Sequence, residues 1–301
     1  MSDAQTLVGA SLEAIQDHYD LSNAFYKLWL DDRMIYSGAY YKTGNETLEE
    51  AQVNKLDHHL QMARTQGARR LLDIGCGWGA ILKRATEDYG AEHAVGLTLS
   101  DAQAQYVRSL GLPKVEVKVE NWQNHEPTEP YDSVISIGAF EHFAHIEYSE
   151  SEKVQAYAKF FERCQDKFLK PNGYLSLQTF AYGSVQKRAD MVNTEATKFL
   201  ATEIFKETDP PHLLNIIEAI QGKFEIVNLM NDRLGYAETL REWMKRLDIN
   251  AEASVKLVGE EEFLRYKKYL QYSFIGFKTG NLDLYRITLR RLDKPWKKKG
   301  P

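Results

Sequence analysis

The stretch Leu71-Leu72-Asp73-Ile74-Gly75-Cys76-Gly77-Trp78-Gly79-Ala80-Ile81 constrains this chain more than any other. Residues suited to a buried strand run directly into glycines at positions i, i+2 and i+4, and then into a helical pattern over 80–88. Glycines at that spacing let the backbone turn tightly and let a ligand approach without a Cβ in the way. The helix that follows turns its unpaired N–H groups toward the same place. Strand and helix signals then alternate: strand 94–97, helix 101–110, strand 115–119 and, after Pro130, strand 133–137. Such alternation predicts an α/β fold with a mainly parallel sheet and helices on both faces. Ligands in such sheets bind at the carboxyl ends of strands, here 73–79, 98–100, 121–122 and 138–142.

The turn has chemical content. A dinucleotide fingerprint needs Gly-x-Gly-x-x-Gly, but here the third glycine comes one residue early and Asp73 precedes the first by two positions. A buried carboxylate there repels a phosphate and attracts a cationic amino group. The spacing Asp-x-Gly-x-Gly-x-Gly resembles the first motif of class I S-adenosylmethionine (SAM) methyltransferases, which implies a Rossmann-like fold and SAM as cofactor.

Composition sets outer limits. The chain has 301 residues, a formal net charge of −5 and 27% charged residues, so it carries no overall field for nucleic acid. The basic run Lys294-Pro295-Trp296-Lys297-Lys298-Lys299 reads as a solvated end, with at most a peripheral membrane contact. Two cysteines, Cys76 and Cys164, are too few for a disulfide framework, and no metal site is expected. No apolar run nears the roughly 20 residues that span a bilayer, and no leader pattern opens the chain. A cytoplasmic location is the expectation.

The remaining segments divide around that core. Apolar positions at helical spacing, Leu12, Ile15, Tyr19 and then Phe25, Leu28, Trp29, predict two short helices, the second capped by Ser22 or Asn23. The stretch 34–41, Met-Ile-Tyr-Ser-Gly-Ala-Tyr-Tyr, suits either a segment wrapping a ligand or an aromatic packing strap. A helix over 47–67 opens on a capping pattern and closes at Gly67. After the core come a helix over 148–167, a strand 174–180, a break in the α/β rhythm over 184–220 with a helix over 212–221, a strand 224–230, helices 236–247 and 259–273, and a strand 283–290. The expected division is therefore 1–68, N-terminal helices closing over the cofactor; 69–183, the SAM-binding α/β core; 184–222, an inserted helical substrate cap; and 223–301, the rest of the core with a helical lid.

Six ordered segments carry a closer likeness: His18-Tyr19-Asp20-Leu21-Ser22-Asn23-x-Phe25-Tyr26-x-Leu28-Trp29-Leu30; Met34 to Ser37; Leu72 to Gly79; Gly96-Leu97-Thr98-Leu99-Ser100-x-x-Gln103; Ser136 to Phe143; and Tyr236-x-x-Thr239-Leu240-x-x-Trp243. Together they resemble the cyclopropane fatty acid synthase and mycolic acid synthase family over nearly the whole chain. That resemblance implies that Asp73, Gly75 and Gly77 line the methionine end of SAM. It puts Thr98, Leu99 and Gln103 at the ribose, Trp122 and Ile137 at the adenine with Asn121 beside them, and Tyr36 and Ser37 over the cofactor. Ring closure in this family uses a bound bicarbonate as base. Of the four positions holding that anion, a cysteine is replaced by Gly38 and a histidine by Gln178, while Glu141 and Tyr236 remain. Ser273 and Ile275 stand where the analogy expects a cysteine and an acid.

The implied function is a methyltransferase that keeps methyl transfer and lacks bicarbonate-assisted ring closure. Glu141, His142 and Tyr236 are its candidate catalytic residues, with Glu141 or His142 as proton acceptor. Tyr36, Tyr236 and Phe140 are candidate ring faces for a cation, and His212 is a lesser candidate. The expected acceptor is an apolar, lipid-like or specialised small molecule, methylated at an alkene or prenyl carbon or at an amine; the N-terminal helices offer a surface for a homo-oligomer. A ring-forming enzyme with a relocated base and a silent SAM-binding protein are the competing readings.

Overall fold

A computed structural model describes residues 22–185 and 194–293, with Gly9 and Ser11. The helix expected over Leu12, Ile15 and Tyr19, the start of the first family segment, and the basic tail lie outside the described residues.

The short helix α1 (Asn23–Tyr26) is capped by Ser22, whose Oγ accepts from Ala24 N–H. After the strap comes α2 (Leu48–Met62), opened by a capping box in which Thr47 and Glu50 satisfy each other's backbone N–H groups. The core follows as β1 (Arg70–Ile74), α3 (Ala80–Glu87), β2 (His93–Thr98), α4 (Asp101–Ser109), β3 (Val115–Val119) and β4 (Tyr131–Ile137). A 3-10 turn at Phe140–Phe143 leads to α5 (Glu150–Arg163) and β5 (Leu169–Tyr182). Then come α6 (Glu195–Phe199), α7 (Leu213–Ala219), β6 (Phe224–Asn231), α8 (Arg233–Ile249), α9 (Ala251–Val258), α10 (Glu260–Thr279) and β7 (Leu282–Arg291).

The strands form one sheet in the order β3-β2-β1-β4-β5-β7-β6. β1 to β5 run parallel, and β7 inserts antiparallel between β5 and β6. The mainly parallel sheet is what the alternation of strand and helix signals implied, and the class I methyltransferase fold is what the resemblance of the glycine motif implied. The order reverses between β1 and β4, and that is where open α/β sheets hold ligands.

Three departures have local causes. The helix expected over 148–167 ends at Arg163, and Cys164–Phe168 form a π-helical turn that buries Cys164 and Phe168 and passes straight into β5. α9 has no counterpart in the sequence reading because it buries only Ser254 and so shows no apolar stripe. α10 runs past 273 through Gly276, which reads as a breaker. A Cβ there would come within 2.9 Å of Leu282 Cδ1, so the glycine lets α10 pack closely on the start of β7.

Aromatic rings, most of them fully buried, tie the N-terminal segment to the lid helices. Trp29 and Trp243 sit edge-to-face at 5.6 Å, Tyr26 and Tyr266 share a hydroxyl–hydroxyl bond of 2.9 Å, and Tyr36 packs against Tyr26, Trp29 and Trp243 at 5.4 to 5.5 Å. Such pairs contribute roughly 0.5–1.5 kcal/mol each beyond the area they bury. The segment 34–41 is therefore a packing strap as well as a wall of the site described next.

Candidate active site

At the end of β1 the chain folds over β2: the N–H groups of Gly75 and Cys76 both donate to Leu97 O at 2.9 Å. Gly75 has φ +82°, and a Cβ on it would lie 2.6 Å from the Ala139 Cβ at the end of β4. Only glycine lets these two strand ends approach so closely. Between them opens a cavity of about 170 Å³. All eleven residues assigned to the cofactor by resemblance line it: Tyr36 and Ser37 from the strap, Asp73, Gly75 and Gly77 from the β1 turn, Thr98, Leu99 and Gln103 around the start of α4, Asn121 and Trp122 after β3, and Ile137 at the end of β4.

Its polar groups are held in place. The Thr98 hydroxyl donates to Gln103 Oε1 at 2.7 Å. Asp73 is 2% exposed, and burial raises its carboxyl to about 7, opposed by the charge of Lys55. Lys55 is itself buried; its Nζ donates to Ser37 Oγ at 2.6 Å, while Gln52 Nε2 donates to Ser37 O at 3.0 Å. Burial pulls the Lys55 ammonium well below its usual range, against the attraction of Asp31. Sequence reading missed these residues. The available signal was that Gln52, Lys55 and His59 share the buried stripe of α2 with Leu48, Ala51, Leu56 and Leu60. A stripe so polar on its inward face serves a site rather than a core alone.

Beyond the cofactor cavity lies a recess of about 30 Å³. Tyr36, Ser37, Gly138 and His142 wall both spaces; Glu141, Gln178, Phe180, Phe205, Tyr236, Tyr269 and Leu284 complete the recess. The three candidate catalytic residues thus meet here, from the turn after β4 and from α8.

Glu141 is 1% exposed. Its Oε1 accepts from Phe180 N–H at 2.8 Å, and its Oε2 has no hydrogen-bonding partner. Burial raises this carboxyl to about 7, opposed by the N–H groups of Glu141 and Phe180 and by the Thr179 hydroxyl. His142 bonds through Nδ1 to Thr208 Oγ1 at 2.8 Å, and burial lowers it to about 4. It stays neutral near pH 7 and is the weaker proton acceptor of the two. Tyr236 packs against Phe277 with the rings tilted and their centroids 4.4 Å apart.

The altered positions are fixed by their neighbours. A Cβ on Gly38 would meet the Tyr236 ring at 2.8 Å and Leu284 Cδ2 at 2.9 Å. Gly38 O and Ala39 O accept from Arg286 Nη2 at 3.2 and 2.9 Å, and Arg286, 1% exposed, pairs with Asp232. Ala39 N–H donates to Thr239 Oγ1 at 2.9 Å, which gives the Thr239-Leu240 segment its task of anchoring the strap. Gln178 is clamped from behind by His59, Nε2 to Oε1 at 3.2 Å.

Other expectations fall elsewhere. Phe140 is buried in the core, stacked on Tyr157 at 4.5 Å, and walls neither space. His212 precedes α7 with its ring 5.0 Å from Tyr182, also away from both. Ser273 is buried outside the recess, and Ile275 is 51% exposed. Among the described residues no cluster of three or more His, Cys, Asp or Glu is placed to hold a metal, and no helix is long and apolar enough to cross a membrane.

Comparison with known proteins matches this geometry to one family. The mycolic acid cyclopropane synthetase family matches residues 8–287. The chain is 36% identical over 292 residues to cyclopropane mycolic acid synthase MmaA2 of Mycobacterium tuberculosis, covering 93% of this chain and 97% of that protein. It is 34% identical over 289 residues to cyclopropane mycolic acid synthase 1 of the same organism, covering 92% and 96%. The solved structure of MmaA2 superposes with a TM-score of 0.83 at 34% identity, over 94% of this chain and 99% of that one. That of CmaA1, in complex with SAH and CTAB, gives 0.83 at 32% identity, again over 94% and 99%. Coclaurine N-methyltransferase, at 23% identity and a TM-score of 0.77, shares the fold. By these matches, the chain belongs to the mycolic acid cyclopropane synthetase family and is a SAM-dependent methyltransferase.

Proposed function

We propose that this enzyme transfers a methyl group to an apolar small molecule, at an alkene or prenyl carbon or at an amine, without bicarbonate-assisted ring closure. The observation that carries this reading is the state of the recess. Gly38, packed behind the recess residues Tyr236 and Leu284, has no room for a side chain; Gln178 is neutral and clamped, and among the lining residues only Glu141 offers a carboxylate. Neither glycine nor an amide is a base, and each buried anion donor lost costs roughly 1–3 kcal/mol of binding.

The cavity residues fit the cofactor: apolar faces at Trp122 and Ile137 for a purine, Thr98 and Gln103 for ribose hydroxyls, and buried Asp73 for a cationic amino group. Bound SAM supplies an electrophilic methyl carbon on a sulfonium. The strap and the β4 turn align the acceptor at the shared wall and exclude water, which is most of what an in-line displacement needs. Glu141 takes the proton that the methylated acceptor sheds, while Tyr36, Tyr236 and Tyr269 surround the developing charge with ring faces. The described part of the cap adds Phe205, and the names of two relatives, which mention mycolic acid, agree with an apolar acceptor.

The decisive experiment incubates the protein with methyl-labelled SAM and apolar extracts of its host, and identifies the labelled product by mass spectrometry and NMR. The reading expects a retained alkene or a methylated amine, at a rate unchanged by removing bicarbonate. A cyclopropane product whose formation stops without bicarbonate overturns it.

Two smaller effects follow. Asp73→Asn removes a charge-assisted bond to the amino group, worth roughly 1.5–3 kcal/mol, so the Kd for SAM measured by calorimetry rises about tenfold to a hundredfold. Gly38→Cys forces a side chain against Tyr236 and Leu284. Overpacking of this kind costs about 1–3 kcal/mol, read as a lower midpoint in thermal or urea unfolding.

A further inference from the structure

Two buried polar groups of recess residues have hydrogen-bonding capacity left over. The first is Glu141 Oε2, an acceptor. The second is an N–H of Gln178. His59 is neutral, kept so by burial and by the neighbouring charges of His58 and Arg286. Its Nδ1 lies 2.8 Å from Ser176 Oγ and its Nε2 lies 3.2 Å from Gln178 Oε1. Turning the Gln178 amide over would bring Oε1 to within 3.4 Å of Gly38 O, acceptor against acceptor, where Nε2 now makes a long donor bond. The amide is therefore held with its oxygen toward His59 and its nitrogen forward. His59 carries its proton on Nε2 and accepts from Ser176 through Nδ1. Gly38 O uses one of the two N–H groups of Gln178, and the other has no acceptor among the described residues.

Glu141 and Gln178 both wall the same space of about 30 Å³, rimmed by aromatic rings, and each keeps hydrogen-bonding capacity that the protein does not fill, so the set is incomplete. The space admits one small group. We infer that the recess is a subsite for a hydroxyl on the methyl acceptor, which accepts from Gln178 Nε2–H and donates to Glu141 Oε2, and that His59 and Ser176 are positioning residues that set the Gln178 amide. A hydrocarbon there leaves both protein groups unpaired, whereas a hydroxyl satisfies both. The recess shares Tyr36, Ser37, Gly138 and His142 with the cofactor cavity, so the hydroxyl sits beside the atom that receives the methyl. This inference rests on reading the recess as the acceptor end, but its test measures binding, so it can fail while methyl transfer stands.

The SAH-loaded enzyme is titrated by calorimetry with allylic alcohols of increasing chain length, with the alkenes of matching size that lack the hydroxyl, and with bicarbonate. At least one alcohol is expected to bind about tenfold tighter than its hydrocarbon partner. Gln178→Met and His59→Leu bring the pair to parity, while His59→Gln, which still donates to the Gln178 oxygen, restores the preference. Unchanged SAH affinity shows that each variant is folded. Parity for every alcohol in the wild-type enzyme overturns the inference. So does binding of bicarbonate that displaces the alcohols and disappears in Gln178→Met, and so does a preference that survives His59→Leu and Gln178→Met alike.

Discussion

Glu141→Gln lowers kcat for methyl transfer by about 10²-fold or more, within the range for loss of a positioned general base, and leaves SAM affinity unchanged. The amide keeps Oε1 as an acceptor for Phe180 N–H, so geometry is preserved and only proton-accepting power is removed. Because the carboxyl of the free enzyme titrates near 7, kcat/KM of the wild type rises with pH through about 7 and then levels, and the variant loses that rise. The same substitution raises stability at alkaline pH. A carboxyl whose pKa is higher folded than unfolded favours the fold while protonated, and that contribution is lost as pH climbs through the folded value. The melting point of Glu141→Gln therefore gains on the wild type from pH 5 to pH 8. A less active but more stable variant is the mark of a group kept buried for chemistry. Equal turnover in variant and wild type removes Glu141 from the proposed mechanism, and a flat melting difference across that pH range removes the burial argument.

Arg286→Met is the most damaging single change expected for the fold around the site. The guanidinium is fully buried, pairs with Asp232 and holds the carbonyls of Gly38 and Ala39. Removing one partner of a buried pair typically costs 3–5 kcal/mol; Asp232 keeps 17% exposure and some water, so about 3 kcal/mol is expected here. For a chain of this size that lowers the melting point by about 5 °C. The strap loses its anchor at the residue next to Ser37, so activity falls further than stability alone accounts for, and a partial rescue of the melting point by SAH is expected. A melting point within about 1 °C of wild type shows that the strap is held by Thr239 and the aromatic rings instead.

How far the site was legible depends on the kind of signal. Asp73, the glycine turn, Thr98, Leu99, Asn121 and Trp122 lie at the carboxyl ends of strands written in local periodicity, and the sheet brings those ends together by a general rule, whereas Gln103 and Ile137 came from the family likeness. Tyr36, Ser37 and Tyr236 were placed by likeness to a family, since nothing local says that residues 36 and 236 meet. Lys55, His59 and Arg286 were missed. Each is a polar residue inside an otherwise regular helix or strand, and its role exists only through partners 18 to 248 positions away. Phe140 was misplaced because an aromatic near a site in sequence carries no direction, and the core around Tyr157 supplied it; His212 packs on Tyr182, in keeping with its standing as a lesser candidate.

By itself the sequence pointed to a mainly parallel α/β sheet, to a ligand at the carboxyl ends of its strands and to a cationic cofactor, because these follow from period, glycine spacing and the charge of Asp73; the likeness to a family named the methyl donor, and the structure supplied the strand order. Only the tertiary structure decided the acceptor end. There a glycine is sealed by Tyr236 and Leu284, an amide is turned by His59, and one carboxylate oxygen is left without a partner. Those properties arise from packing between segments far apart in the chain, and hydrogen-bonding groups acquire a direction only when their neighbours are in place.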